Sequence, residues 1–193
     1  MRIRYSALLA SVLILLSAPA SAHLLGMHGA GLDAGVIHPF TGIDHLLAML
    51  AVGMWAAQQG GRAQWSIPLA FVAMMTLGGI LALTGVHLPM VETGIATSVL
   101  VLGLLVTFCA RLPLAAGATL VGIFALFHGH AHGAELPLAA SPVEYALGFI
   151  LATAALHGIG IALGNYMKNG SLPLLQLSGA AVAATGVWLM LSI

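Results

Sequence analysis

From Ile37 to Ile193 the chain is a succession of long apolar stretches joined by connections too short to hold a folded domain. The stretches fall at about 37–58, 66–87, 93–110, 113–133, 143–166 and 172–193. Each is close to the roughly 20 residues that a helix needs to cross a hydrocarbon core of about 30 Å. The breaks are Gly60-Gly61-Arg62, His87-Leu88-Pro89, Arg111-Leu112-Pro113, the segment 135–142, and Lys168-Asn169-Gly170. Charged residues make up 5% of the chain, against about 25% in soluble domains. The expected fold is an all-α integral membrane protein with six transmembrane helices in a lipid bilayer.

The N-terminal segment has a different pattern. Arg2 and Arg4 precede an apolar run from Ala7 to Leu16, and Ala20-Ser21-Ala22 follows. This is the order of a cleavable signal peptide, so residues 1–22 are expected to be removed and 23–193 to form the transmembrane domain. After the signal the basic residues are Arg62, Arg111 and Lys168, in the first, third and fifth connections. Asp33, Glu92 and Glu135 fall on the opposite side. The positive-inside bias puts the basic side in the cytoplasm and both mature termini outside. A net charge of zero with His neutral gives no basic surface for nucleic acid. The single cysteine, Cys109, excludes an intrachain disulfide and a multi-thiolate metal site.

Nine histidines in so apolar a chain point to metal or proton handling, because ionisable groups inside a membrane are costly and by default functional. The first stretch carries His38, Asp44 and His45. On a straight helix His38 and His45 share a face but lie about 10 Å apart along the axis, too far to serve one ion about 2 Å from each nitrogen. Pro39, Thr41 and Gly42 make a break plausible there, since irregular backbone is tolerated where it lines a cavity. Either the helix unwinds between His38 and Asp44, or the two histidines serve successive stations. The fourth stretch ends with His128, His130, His132 and Glu135. His128, His132 and Glu135 form one stripe at i, i+4 and i+7, and His130 points off it. His157 lies deep in the fifth stretch, where a lone histidine is more often a packing residue. His23 and His28, at the start of the processed chain, could chelate an ion at the outer face, with His87 nearby. Imidazole and carboxylate without thiolate suit divalent nickel, cobalt or zinc.

The strings His38-Pro39, Gly42-Ile43-Asp44-His45-Leu46-Leu47-Ala48-Met49 and Val52-Gly53, followed by Phe127-His128-Gly129-His130-Ala131-His132-Gly133-Ala134-Glu135, closely resemble the HupE/UreJ family of nickel/cobalt permeases. The resemblance covers essentially the whole chain, including the signal and the six-span layout. It implies a permease domain at 23–193, in the inner membrane of a bacterium, that takes up Ni²⁺ or Co²⁺ for nickel enzymes or cobalamin synthesis, with no prosthetic group. Carried over by position, its metal motifs fall on His38, Asp44, His45, His128, His132 and Glu135. His23, His28, His130 and His157 complete the candidate metal-binding residues.

Two other functions fit parts of the pattern. An intramembrane zinc hydrolase would use His45, His128 and His132 with Glu135 or Asp44 as base. It also calls for a Ser or Asp oxyanion partner near the cluster, where the sequence offers small apolar residues and Thr41. A metal-sensing or chaperone subunit would need an output surface that the short connections do not provide. The first and fourth stretches, both His-bearing and opposite in direction, suit an inverted three-plus-three repeat. A homo-oligomer is left open.

Overall fold

The computed structural model describes residues 31–136, 141–168, 170 and 173–193. The expected signal peptide and the candidates His23 and His28 lie outside the described residues. Among the described residues the protein is all-helical: α1 Leu32–Ile37, a 3-10 turn His38–Phe40, α2 Ile43–Gln59, α3 Ala63–Leu83, α4 Val91–Thr107, α5 Leu114–Ala134, α6 Pro142–Met167 and α7 Leu174–Leu191. Each of the six expected apolar stretches is occupied by one of the helices α2 to α7. By length and composition α3, α5, α6 and α7 can cross a membrane, and the bent pair of Leu32–Phe40 and Ile43–Gln59 makes a fifth if counted as one span. α4 is apolar but shorter.

Sequence punctuation sets the ends. Gly60 and Gly61, with φ of 71° and 52°, turn the chain after α2 in a conformation that favours glycine. Pro113 and Pro173 stand at the N-caps of α5 and α7, and Pro142 opens α6 behind Ser141. Proline is suited to a first turn, where its missing N–H costs nothing.

The first stretch is not one helix. Its two parts meet at 82°, and the break answers the spacing problem posed by His38 and His45. The Thr41 N–H and hydroxyl both bond to the His38 carbonyl, at 3.0 and 2.7 Å, closing a tight turn around Pro39. Gly42 then takes an extended conformation, φ −96° and ψ 119°, before α2 begins.

Past the bend α2 runs through the middle of the molecule. Residues from Ala48 to Ala57 are buried apart from Leu50, which is half-buried, as expected of a helix apolar all round. α2 and α1 pack on α6, α3 on α5, and α4 on α7. Close backbone approach makes these pairs: a methyl at Gly129 of α5 would strike the Met75 carbonyl of α3, and one at Gly53 of α2 would strike the His157 carbonyl of α6. Small residues at such crossings drive helix association where lipid removes the hydrophobic drive. Trp65, Leu69, Leu151 and Trp188 face outward and exposed, an apolar belt suited to lipid rather than water.

Candidate metal centre

Glu135 ends α5, and with it begins a row of side chains that leads from the surface into the core. Its carboxylate is 59% exposed and lies 3.4 Å from His38 Nε2 and 3.5 Å from His132 Nδ1. Hydrogen bonds from His132 and then His38 hold that carboxyl well below the usual carboxylate range, so it remains an anion at any physiological pH. His38 Nε2 is 2.8 Å from His132 Nδ1, and His132 Nε2 is 3.0 Å from His45 Nδ1. The rings of His45 and His128 follow, 5.3 Å apart between centroids. Exposure falls along the row, from 29% at the His38 side chain to 14% at His132 and to zero at His45 and His128.

The bend makes this row. It folds His38 over the end of α5 while His45 enters from the first turn of α2, so residues seven apart meet the same histidine from two sides. Two donor groups result: His38, His132 and Glu135, and His45, His128 and His132, with the ligand atoms of each group within 4.8 Å of one another. Imidazoles on one ion stand about 3–4 Å apart, given bonds of about 2.1 Å. Small side-chain rotations would close either group around a cation.

The orientation of His128 follows from one hydroxyl. Ser98 Oγ lies 2.6 Å from the Ile95 carbonyl and 2.8 Å from His128 Nε2. A carbonyl can only accept, so the Ser98 hydrogen goes to Ile95 and the oxygen accepts from His128 Nε2–H. His128 Nδ1 is then an unprotonated lone pair, and it lies buried without a hydrogen-bond partner. His45 Nε2 is likewise buried and unpartnered. Buried polar atoms without partners are rare and costly, and these two adjacent imidazoles each leave one nitrogen unsatisfied, that of His128 being a lone pair. His128 is held from behind by Ser98, as ligands in metal sites commonly are.

The remaining candidates lie apart from both groups. Asp44 Oδ1 accepts the His45 backbone N–H at 2.7 Å, satisfying a donor that the first turn of a helix leaves open. His130 Nε2 lies 2.7 Å from the Val86 carbonyl, so it donates to the connection between α3 and α4 and points away from the row. His157 is buried on α6.

Three neighbours went unread in the sequence. Ser98 is the first. Phe149 of α6 walls the row, with its ring 4.6 Å from His132, 4.9 Å from His45 and 6.1 Å from His38. Tyr145, one turn earlier, stands 5.8 Å from His38 with its hydroxyl buried and unpartnered. An apolar cavity of about 100 Å³ between α3, α5 and α6 reaches His132 and Phe149.

Helices long and apolar enough to cross a bilayer define a multi-pass membrane protein, and two adjoining groups of side chains in it could hold a metal ion. The profile described as HupE / UreJ protein matches residues 11–189. Protein HupE of Rhizobium leguminosarum bv. viciae is 48% identical over 183 residues, covering 93% of this chain and 95% of that protein. The chain belongs to the HupE/UreJ family. No solved structure matches it.

Proposed function

We propose that the chain carries Ni²⁺ or Co²⁺ inward across the cytoplasmic membrane of a bacterium. The observation that supports this reading best is the graded row from exposed Glu135 to buried His128, with His132 common to both donor groups. An ion leaving water must exchange its hydration shell for protein ligands step by step, because a bare dication in hydrocarbon is prohibitively costly. Glu135, His38 and His132 receive it near the surface. His132 turns it over to His45 and His128, whose unpartnered nitrogens complete the exchange. One carboxylate leaves the occupied site cationic, so an inside-negative potential of 100 mV favours inward movement by about 4.6 kcal/mol. His23 and His28, with His87, collect the ion outside. Zinc is an alternative cargo on donor chemistry alone.

In this reading α2 to α7 are six spans, the signal is removed, and both mature termini face outward. Arg111 and Lys168 support that orientation: they donate to the Gln59 and Ala57 carbonyls, at 3.3 and 3.4 Å, gathering positive charge at the end of α2 remote from the row.

The hydrolase alternative gains a serine from the structure but not a nucleophile, since the Ser98 hydrogen is engaged by Ile95.

Uptake of radioactive nickel and cobalt by cells expressing the protein tests the proposal. His45→Ala and His128→Ala are each expected to lower accumulation about tenfold or more, since each deletes a ligand. Accumulation unchanged by both substitutions would remove this site from the transport path.

A further inference from the structure

The face of α6 that passes the row does not end with it. Tyr145, Phe149, Thr153 and His157 follow at intervals of four, each a turn past the last on a stripe that winds slowly round the helix, and all four are buried. The first two line His38, His45 and His132. Thr153 sets its hydroxyl against the Met75 sulfur at 3.8 Å. His157 is 2% exposed, and neither of its ring nitrogens has a hydrogen-bond partner.

A packing histidine normally satisfies at least one nitrogen, and burying both unpaired costs free energy. Its setting suggests what that cost serves. The Phe71 ring stands against it, 5.2 Å away at 80°, and the same ring lies 5.9 Å from His128. Phe71 is therefore a neighbour that His128 and His157 share. Gly53 lies against the His157 carbonyl, and Gly53 is eight residues, or about 12 Å, beyond His45 on α2. Side chains lean toward the N-terminus of their helix, and α6 begins at the end where the row opens.

We infer that His157 is an inner binding station for the same divalent cation, reached from the His45 and His128 pair when the Phe71 ring turns aside. The inference rests on the proposed transport function. It supplies what that reading lacks, a ligand deeper than His128. Phe71 touches both stations in the conformation described, so a turn of its ring changes the surroundings of each.

The test uses full-length protein reconstituted into liposomes, with initial rates of nickel and cadmium entry measured for the unsubstituted chain, His157→Phe and His157→Cys. His157→Phe is expected to slow nickel entry about tenfold or more, because it removes the only ligand atoms the residue offers. Nickel affinity of the same variant in detergent should stay within about twofold, since the two outer groups keep their ligands. A thiolate selects the softer ion, so His157→Cys is expected to restore cadmium entry and raise the cadmium-to-nickel rate ratio about tenfold. Nickel rates equal in all three chains would overturn the station. So would equal losses of both ions in the two variants, which is what a packing role gives. An unsubstituted chain that admits neither ion overturns the transport reading, and the station with it.

Discussion

Ser98 has one hydrogen and two close neighbours, and the neighbour that cannot donate decides where the hydrogen goes. Because the Ile95 carbonyl takes it, His128 is fixed as the tautomer whose Nδ1 is free to bind an ion. Ser98→Ala leaves the His128 Nε2–H buried without an acceptor, a penalty of about 1–3 kcal/mol. Losing such a supporting contact typically lowers metal affinity about 10–100-fold. Calorimetric titration of the detergent-solubilised variant with nickel is expected to show that loss, and an unchanged affinity would mean that His128 does not bind through Nδ1. The histidines were legible in the sequence because ionisable groups stand out against apolar helix. Ser98, Tyr145 and Phe149 were not: a serine is ordinary in a membrane helix, and an aromatic ring blends into an apolar stretch. Asp44 was legible by its charge, but one of its roles was not. Its position in the first turn of α2 also gives it a backbone N–H to satisfy.

The helices themselves were the most legible elements, since hydropathy and the Gly and Pro breaks fix them without reference to partners. The bend was half legible: Pro39 and Gly42 made a break admissible, but the 82° angle depends on how α1 and α2 both pack on α6. Pairing of the helices was hidden because glycines are too many to rank by sequence. Surroundings rank them. A methyl at Gly129 meets the Met75 backbone, which cannot move without parting α3 from α5, whereas Gly158 has open space around it. Gly129→Ala is expected to destabilise by about 1–3 kcal/mol, in line with overpacked cores. It should also weaken nickel binding through its neighbour His128. Gly158→Ala should leave both unchanged. Thermal unfolding of the two variants side by side measures the difference, and equal melting temperatures would contradict the close crossing. The pairing of α2 with α6 and of α3 with α5 is what exchanging two halves of an inverted repeat produces. However, α2 also packs on α3 and α4, and among the described residues α5 makes no comparable contact with α6 or α7.

At the scale of the whole molecule the two ends differ in chemistry. One gathers Glu135, Glu144 and the open end of the imidazole row, and the other gathers Arg62, Arg111, Lys168 and the exposed thiol of Cys109. As the only cysteine, Cys109 reports on orientation without any substitution. A membrane-impermeant maleimide is expected to spare it in intact spheroplasts and to label it once the membrane is opened. Labelling of intact spheroplasts would invert the proposed topology. His132 carries a further consequence for the molecule as a whole, because it belongs to both donor groups. On the proposed path two ions cannot occupy adjacent stations, since each would require the same imidazole. The row then works as a turnstile that passes one ion per vacancy. Its throughput depends on how soon an ion leaves as much as on how tightly it is caught. A metal at the top of the affinity order, such as copper, would stall the turnstile, and discrimination would rest on residence time.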